Sequence, residues 1–362
     1  MKLFPTHYNT FSSNMEYTQL GKSGLKVSKV ILGAMSFGDP STVMGWTIPE
    51  LEALPVLKRA YDLGINTWDT ADVYSNGQSE RIVGKALQEY NIPRERVVIL
   101  SKIFSGLPDD MESLNDTEIF AKLTINGGDM VNQVGLSRKH IFAAVDASIA
   151  RLGTYIDVLQ IHRLDRETPR EEIMKALNDV VESGKVRYIG ACTMKAWEFQ
   201  TLQNIAKENG WHQFVSMQDY YSLLYRENER DMIPYCQDTG VGIIPYSPLA
   251  RGLLARPFAA EPTIRQKTDY FAEFLLGRTT SEDIEIIGRV EELAKRKGTT
   301  MAAIAVAWCL ARGAIPIVGL GSTERIDQIA EGFNLIKAGL LEKEDIDFLE
   351  ERYAAKPVIA AG

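Results

Sequence analysis

The sequence predicts an α/β protein, which we interpret as a single (β/α)8 barrel with an N-terminal β-hairpin and long loops after the third and seventh strands. Short runs of Val, Ile and Leu alternate with longer amphipathic stretches along the 362 residues, a pattern typical of repeated βα units. The composition does not change along the chain, which favours one domain over residues 16–362. A doubly wound sheet would produce the same alternation and remains an alternative at this point.

The element order follows from the position of the apolar runs and turn signals. Residues 16–30 alternate polar and apolar side chains around Gly21-Lys22-Ser23-Gly24, which predicts a hairpin covering the amino-terminal end of the barrel. Strands are predicted near Ile31, Trp68, Val98, Leu159, Arg187, Val215, Ile243 and Ile317. Helices are predicted over residues 49–63, 79–90, 138–151, 170–183, 196–208, 227–239, 281–296, 301–311 and 323–336. Residues 103–135 and 248–280 remain as long loops, and loops of this length are usually functional or disordered.

The second predicted barrel strand, residues 67–69, is followed by a candidate site. Asp69 ends the strand, and Tyr74 lies five residues further on, before a helix that opens at Ser79. Titratable groups at the exit of a βα strand are where α/β proteins place their chemistry. Asp69 could instead brace the loop and Tyr74 could be an ordinary half-buried aromatic residue. This stretch alone does not decide between the two interpretations.

Two further apolar runs end in a residue that a buried strand seldom carries without a partner. VVILSK ends in Lys102, and DVLQIH ends in His162. If these strands are parallel neighbours of residues 67–69, their end residues converge with Asp69 and Tyr74. A lysine ammonium favours the ionised form of a nearby phenol, whose pKa is ordinarily about 10, while Asp69 would hold the lysine in place. The pattern predicts a tyrosine that acts as a general acid or base.

This order of Asp, Tyr, Lys and His at successive strand ends resembles the catalytic tetrad of the aldo-keto reductases. Other segments resemble the same family: LGKSGLKVSKVILGAMSFG, GKVRYIGACTM, YSPLARGLL and PIVGLGSTERIDQIAE. Further segments resemble its fungal aryl-alcohol dehydrogenase-like branch: GLSRKHI, RLGTYIDVLQIHRLD and LLYRENERDMIPY. The resemblance covers residues 16 to about 357. It implies the barrel rather than the doubly wound sheet, and carbonyl reduction with Tyr74 as the proton donor.

A glycine-containing segment near the end of the chain, VGLGSTER, lies between a predicted strand and a predicted helix. It lacks the third glycine of a Rossmann fingerprint, and no βαβ unit follows it. We therefore interpret it as the phosphate site that barrels form at a helix N-terminus after strands seven and eight. The resemblance implies NADP(H), held here by Gly321, Ser322, Arg325 and Gln328. Alternatively, Ser322 is only an N-cap and Arg325 an exposed helix residue.

The resemblance also assigns residues to the rest of the cofactor. Tyr246 corresponds to the aromatic residue that stacks on the nicotinamide ring, and Gln218 and Thr193 to the partners of its carboxamide. The loop that wraps the pyrophosphate corresponds to Ser247, Leu249, Arg251 and Gly252. One departure from the family pattern is Cys192, which precedes Thr193 where the family usually has serine. A thiol is a poorer hydrogen-bond donor, and each of these residues could also be simple strand-end packing.

The loop after the first barrel strand, residues 34–47, is unusually apolar for a connection. It carries Met35, Phe37, Met44 and Trp46. Trp46 could pack in the interior or line a substrate mouth, and the resemblance favours the second. Met35, Trp46 and Arg163 are therefore the candidate substrate contacts, and the aromatic loop predicts a bulky or flat substrate.

Composition excludes several classes of function. The formal net charge of −8 argues against a nucleic-acid or anionic membrane surface, and no apolar run approaches the roughly 20 residues that span a bilayer. Three scattered cysteines, Cys192, Cys236 and Cys309, predict neither a disulfide framework nor a zinc site. We expect no metal ion and a reducing, cytoplasmic setting. Residues 1–15 lack the features of a signal peptide and predict a disordered extension, with Met15 as an alternative start.

These observations lead to one functional hypothesis and two alternatives. The hypothesis is an NADPH-dependent reductase of aldehydes or ketones, acting on aryl or secondary-metabolite carbonyls. The first alternative is a cofactor-binding regulatory module with little turnover, which the intact tetrad disfavours. The second is a metal-free isomerase or lyase that uses Lys102 and His162, which the phosphate segment disfavours. The expected partner is a small carbonyl or alcohol, and the oligomeric state is open.

Overall fold

The computed structural model describes residues 15–41, 45–109, 116–269, 279–337 and 339–359. The predicted extension lies outside the described residues except for Met15, whose side chain is buried. Met44, predicted to belong to the apolar loop, also lies outside them.

A hairpin precedes the barrel, as predicted. Its strands β1 (Tyr17–Gln19) and β2 (Lys26–Ser28) pair in antiparallel orientation. Leu20 and Val27 are fully buried in the same apolar cluster as side chains of the barrel interior. The turn approaches the chain before the seventh barrel strand so closely that the Lys22 amide donates to the carbonyl oxygen of Gly240 at 2.8 Å. The hairpin therefore fills the amino-terminal end of the barrel.

Eight parallel strands in the described part of the chain form a single sheet. They are β3 (Ile31–Gly33), β4 (Thr67–Asp69), β5 (Val98–Ile103), β6 (Ile156–Ile161), β7 (Val186–Cys192), β8 (Phe214–Gln218), β9 (Gly242–Ile243) and β10 (Ile317–Gly319). Neighbours follow chain order, and β10 pairs with β3. The sheet closes because the Ile315 amide donates to the Ile243 carbonyl at 2.8 Å and the Ile317 amide to the Pro245 carbonyl at 2.9 Å. The barrel is confirmed, and the doubly wound alternative is wrong.

The helices follow the strands as βα units require. Their bounds are α1 (Glu50–Asp62), α2 (Gln78–Glu89), α3 (Asp116–Thr124), α4 (Arg138–Leu152), α5 (Arg170–Glu182), α6 (Ala196–Glu208), α7 (Met232–Thr239), α8 (Ile264–Thr268), α9 (Ser281–Lys297), α10 (Met301–Ala311), α11 (Thr323–Lys337) and α12 (Lys343–Glu350). Within the described ranges, none of them combines the length and the apolar character needed to cross a bilayer.

Three details of the predicted elements differ in the structure. The helix predicted over residues 227–239 is wrong as one unit, since a 3-10 turn (Glu227–Arg230) and α7 are separated at Asp231. Asp231 has φ −147° and ψ −53°, and its side chain accepts from the Met232 amide, so it starts a new helix. The two long loops are present but contain the short helices α3 and α8. The helix α12 was not predicted.

The barrel interior changes from apolar to polar along the strands. Val98 and Leu100 of β5 lie in the interior cluster with Val158 of β6. Side chains two residues further along a strand point to the same face, which places Lys102 and Gln160 in the interior at the carboxyl ends. The hairpin end of the barrel is therefore packed with apolar side chains, and the opposite end carries polar ones.

Candidate active site

A buried lysine at the end of β5 lies at the centre of the site. Lys102 Nζ donates to Asp69 Oδ1 at 2.5 Å, to the Thr70 carbonyl oxygen at 2.9 Å and to Tyr74 Oη at 3.1 Å. Lys102 is 0% exposed and Asp69 2% exposed. Because an ammonium has three N–H donors, all of its hydrogen-bonding capacity is used in this arrangement. The predicted convergence of Asp69, Tyr74 and Lys102 is present in the structure.

The second oxygen of Asp69 is held by two glutamines. Asp69 Oδ2 accepts from Gln160 Nε2 at 3.0 Å and from Gln218 Nε2 at 2.9 Å, and Gln218 Nε2 is also 3.0 Å from Gln160 Oε1. Gln218 was predicted as a cofactor contact, and in this structure its amide nitrogen donates to Asp69. Gln160 was not predicted, although it lies two residues before His162 in an apolar strand and therefore faces the same interior.

Burial and the ion pair between Lys102 and Asp69 together determine the protonation states of Tyr74 and Lys102. Burial raises the pKa of Tyr74 above its ordinary value, although Lys102 acts in the opposite direction. The expected effect of the lysine on the phenol is therefore present but is outweighed by desolvation. Burial opposes the charge of Lys102, yet Asp69 and Tyr74 raise its pKa above its ordinary value. At neutral pH Tyr74 keeps its proton and Lys102 keeps its charge.

The predicted histidine also reaches this site. His162 follows β6 directly, and its ring centroid is 5.9 Å from that of Tyr74 with the two rings nearly perpendicular at 80°. Burial, followed by the positive charges of Lys102 and Arg163, lowers the pKa of His162 well below its ordinary value. Its Nδ1 atom has no hydrogen-bond partner among the described residues. His162 is therefore a neutral imidazole next to the tyrosine.

The Tyr74 loop has an unusual backbone. Ser75, Asn76 and Gly77 have φ values of 47°, 53° and 84°, three successive residues in the left-handed region. The φ of Gly77 favours glycine, and a Cβ atom there would also lie 2.6 Å from Cδ of the Arg151 side chain. Ser79 Oγ, just beyond this turn, donates to the Ala34 carbonyl oxygen at 2.8 Å. These contacts fix the direction in which Tyr74 leaves β4.

A buried carboxylate supports the same loop from outside the barrel. Glu80 is 0% exposed and accepts from Ser101 Oγ at 2.5 Å and from Arg151 Nε at 2.6 Å. Asp72 is also fully buried, and burial together with Glu80 raises its pKa well above its ordinary value. Sequence reasoning missed these residues because Glu80 and Arg151 are 71 positions apart.

The residues predicted around the nicotinamide lie together beside Asp69. The Thr193 amide donates to the Gln218 carbonyl oxygen at 3.1 Å, and the Thr193 side chain lies near the Tyr246 hydroxyl. Thr193 has φ 39°, and Tyr246 is half-buried. Burial raises the pKa of the neighbouring Cys192 thiol, so Cys192 is not a thiolate.

A further carboxyl group lies next to this cluster and was not predicted. Asp219 follows β8, is 6% exposed, and its Oδ2 atom has no hydrogen-bond partner in the described ranges. Burial and the nearby Asp231 raise the pKa of Asp219 from 3.8 to about 7, against a smaller opposite effect of the nearby Thr193 backbone. This carboxyl group therefore titrates near neutral pH.

Replacing Asp219 by Asn is expected to change how stability depends on pH. A raised pKa in the folded state means that the stabilising contribution of the protonated group is full below about pH 4 and is lost as the pH rises through about 7. Because asparagine does not titrate, Asp219→Asn should gain stability relative to the wild type between pH 4 and 8 by roughly 1–4 kcal/mol. Urea unfolding at pH 5 and pH 8 measures this gain, and an equal shift of both proteins with pH would contradict it.

The predicted pyrophosphate loop is tied to its own carboxylate. Arg251 and Gly252 have φ values of 54° and 103°, and Ser247 has φ 54°, so the loop turns sharply after Tyr246. Arg251 is buried, and its Nη1 atom is 3.1 Å from Asp269 Oδ2. Leu249, also predicted in this loop, is half-buried against the apolar core. The loop is ordered by an ion pair within it.

The candidate substrate residues are spread around the mouth of the barrel. The Arg265 guanidinium lies 4.1 Å from the centroid of the Trp46 ring, so Trp46 joins the loop after β3 to the loop after β9. Met35 is half-buried, and Arg163 is exposed. The structure thus places Trp46 under an arginine rather than alone at the opening.

The predicted phosphate segment forms a helix N-terminus. Ser322 precedes α11, and its Oγ atom accepts from the Arg325 amide at 3.4 Å, which is an N-cap contact. Arg325 and Gln328 are exposed, and Gly321 is half-buried. The N-cap interpretation of Ser322 agrees with this contact, and the Arg325 side chain is exposed at the first turn of α11.

The barrel and its polar end resemble known proteins. The model of the aldo/keto reductase family matches residues 29–353. This match covers the eight strands of the sheet and every residue of the site. The chain belongs to the aldo-keto reductase family. Since proteins of this family act on carbonyl compounds, the protein is an oxidoreductase for small-molecule carbonyls.

Individual family members are similar over almost the whole chain. Versiconal hemiacetal acetate reductase of Aspergillus parasiticus is 58% identical over 346 residues, which cover 95% of this chain and 98% of that protein. A Schizosaccharomyces pombe protein with a provisional aryl-alcohol dehydrogenase name is 52% identical over 353 residues, 94% and 97% of the two chains. An aldo-keto reductase of Alternaria alternata is 46% identical over 350 residues, 96% and 94%. The predicted resemblance to the fungal aryl-alcohol dehydrogenase-like branch is confirmed.

Proposed function

We propose that the protein is an NADPH-dependent reductase of aldehydes or ketones in which Tyr74 donates the proton. The 3.1 Å contact between Lys102 Nζ and Tyr74 Oη carries this proposal. Tyr74 is neutral in the free protein, so it has a proton to give to an alkoxide as it forms. The phenolate that remains is stabilised by the Lys102 ammonium, which Asp69 holds in place.

His162 has a different task in this mechanism. Its imidazole is neutral, lies edge-on to Tyr74 and has a free ring nitrogen. A neutral imidazole can hydrogen-bond a carbonyl oxygen without competing for the proton that Tyr74 supplies. We therefore assign to His162 the orientation of the carbonyl group between the two rings.

The residues at the carboxyl end fit a nicotinamide dinucleotide phosphate. One face of the Tyr246 ring stacks on Tyr220, with centroids 5.6 Å apart and planes 21° apart, and the ring is half-buried, so it can receive a second flat ring. Thr193 lies beside it, and the α11 N-terminus with the exposed Arg325 suits a 2′-phosphate. When bound, this cofactor supplies the hydride.

The substrate class follows from the relatives and from the mouth of the barrel. Relatives carry the names versiconal hemiacetal acetate reductase and aryl-alcohol dehydrogenase, and Trp46 with Arg265 offers a flat cationic surface next to the site. We propose aryl or secondary-metabolite carbonyls as substrates and residues 16–362 as the catalytic domain. The three cysteines are free and buried, which suits a reducing compartment such as the cytoplasm.

Cofactor titration tests the proposal. In the wild-type protein, NADPH should quench the tryptophan fluorescence at lower concentrations than NADH does. The protein should then reduce aromatic aldehydes with NADPH. Arg325→Ala should raise the Kd for NADPH about ten- to a hundredfold, the effect of losing a charge-assisted hydrogen bond, and leave the Kd for NADH unchanged. Arg81→Ala, which removes another exposed arginine, should change neither Kd.

The same experiment separates the alternatives. Tight cofactor binding without turnover of any aldehyde would favour the regulatory module. Absence of nicotinamide binding would favour an isomerase or lyase and would refute the proposed reductase. An equal loss of NADPH and NADH affinity in Arg325→Ala would contradict the 2′-phosphate assignment.

A further inference from the structure

Three tyrosines form a continuous stack that leads away from the site. Tyr220 lies between Tyr246 and Tyr225, with centroid distances of 5.6 Å and 4.7 Å and interplanar angles of 21° and 23°. Tyr220 is 3% exposed and Tyr225 4% exposed. Aromatic pairs keep an offset and a spacing that depend on both rings. Tyr225 is therefore in contact with Tyr246 through a single intervening ring, that of Tyr220.

The far end of this stack is covered by the segment after α12, residues 353–359, which we call the tail. The Ile359 amide donates to Tyr225 Oη at 2.9 Å. Nearer its start, the Tyr353 hydroxyl and the Lys356 amide both donate to Glu227 Oε1 at 2.7 Å. Glu227 is 4% exposed, so the tail supplies donors to a carboxylate that water does not reach.

The tail is also bound to the first turn of α9. Lys356 Nζ is 2.7 Å and 2.8 Å from the two carboxylate oxygens of Asp283, which is 3% exposed. Asp283 belongs to the capping box of α9, since its Oδ2 accepts from the Thr280 amide at 3.0 Å and its own amide donates to Thr280 Oγ1 at 3.2 Å. The tail therefore joins the start of α9 to the aromatic stack.

The size of a small void beside Tyr225 shows how closely the tail packs against the stack. A cavity of about 10 Å³ lies between the tail and the stack, lined among others by Tyr220, Tyr225, Asp283 and Lys356. This volume is near the lower limit for one water molecule. Because the packing is this close, the contacts from the tail restrict how far Tyr225 can move.

We propose that the tail is a clamp that fixes the plane of Tyr246, which makes Lys356 and Tyr225 positioning residues for the nicotinamide end of the cofactor. The clamp rests on the proposed function, in which Tyr246 receives the nicotinamide ring. It acts on one end of the cofactor only, because the helix N-terminus at Ser322 and Arg325 makes no contact with the stack in the hydrogen bonds and ring pairs of the described residues.

Comparing two ligands tests this directly. NADPH reaches both ends of the site, whereas adenosine 2′,5′-bisphosphate reaches only the phosphate end. In Lys356→Met, which keeps the aliphatic stem, and in Tyr225→Phe, which removes only the hydroxyl that accepts from Ile359, the Kd for NADPH should rise about tenfold, the scale of one misaligned aromatic stack. The Kd for adenosine 2′,5′-bisphosphate should stay unchanged in both variants.

Two control variants accompany this comparison of ligands. Lys356→Arg keeps the charge next to Asp283 and should restore NADPH binding close to the wild-type value. Lys343→Met removes an exposed lysine whose partner is Asp347 on the same helix, and it should leave both affinities unchanged.

Each outcome decides the proposal. Equal weakening of both ligands in Lys356→Met and Tyr225→Phe would show a general loss of structure and overturn the clamp, as would unchanged NADPH affinity in both variants. A wild-type protein that binds neither ligand would overturn the proposed function, and the clamp with it. A wild-type protein that binds both, with NADPH alone weakened in the two variants, supports the clamp.

Discussion

Replacing Tyr74 by Phe is expected to reduce carbonyl turnover by about a hundred- to ten-thousandfold, the range of general acid catalysis. Phenylalanine keeps the ring that packs edge-on to His162 and lies 4.7 Å from Lys102 Nζ. Only the hydroxyl that gives the proton is lost. The Kd for NADPH should therefore remain at the wild-type value while kcat falls, which steady-state kinetics and tryptophan quenching measure together.

The control for this change is Tyr90→Phe. Tyr90 is half-buried against the core at the end of α2, far from the carboxyl ends of the strands, and losing its hydroxyl should leave turnover unchanged. Tyr74→Phe also removes one acceptor from Lys102, which should lower the free energy of unfolding by about 1 kcal/mol. Undiminished turnover in folded Tyr74→Phe would refute the assignment of Tyr74 as the proton donor.

Replacing Lys102 by Met should abolish turnover and lower the free energy of unfolding by about 3–5 kcal/mol, as expected when one partner of a buried ion pair is removed. The Asp69 carboxylate would remain 2% exposed with only the amide nitrogens of Gln160 and Gln218 as donors. Urea unfolding at pH 7 measures the loss of stability, and turnover of an aromatic aldehyde measures the loss of activity.

The double variant Lys102→Met/Asp69→Asn separates stability from chemistry. Because it removes the uncompensated charge, it should recover most of the stability lost in Lys102→Met. It should not recover turnover, because the phenolate of Tyr74 would still lack a cation. A double variant as unstable as the sum of the two single variants would show that Lys102 and Asp69 are not coupled.

The parts of the site that follow from strand periodicity were predictable from the sequence. Asp69 and Lys102 lie at the carboxyl ends of apolar runs and His162 directly follows one, and parallel strands bring such ends together. The structure accordingly brings Lys102 into contact with Asp69 and Tyr74. Gln160 had the same signal, since it shares a strand face with His162. It was not predicted because its side chain is an uncharged amide within an apolar run.

Other features depend on contacts that no local pattern encodes. Glu80 meets Arg151 because α2 packs beside α4. Arg265 meets Trp46 although the two residues lie far apart in the sequence. The break at Asp231 had a local signal, an N-cap residue followed by Pro234 in the first turn. The signal was missed because the residues before Asp231 also favour a helix, so the predicted helix began at residue 227.

The hairpin at the amino-terminal end of the barrel has a consequence for the timing of the reaction. Leu20 and Val27 fill that end, so the barrel is open only at its carboxyl end. When two ligands must contact each other inside a site with one opening, the ligand that lies deeper has to bind first and leave last. Under the proposed function, the nicotinamide would lie against Tyr246 with the carbonyl compound above it. We then expect the cofactor to bind before the carbonyl compound and the alcohol to leave before the oxidised cofactor.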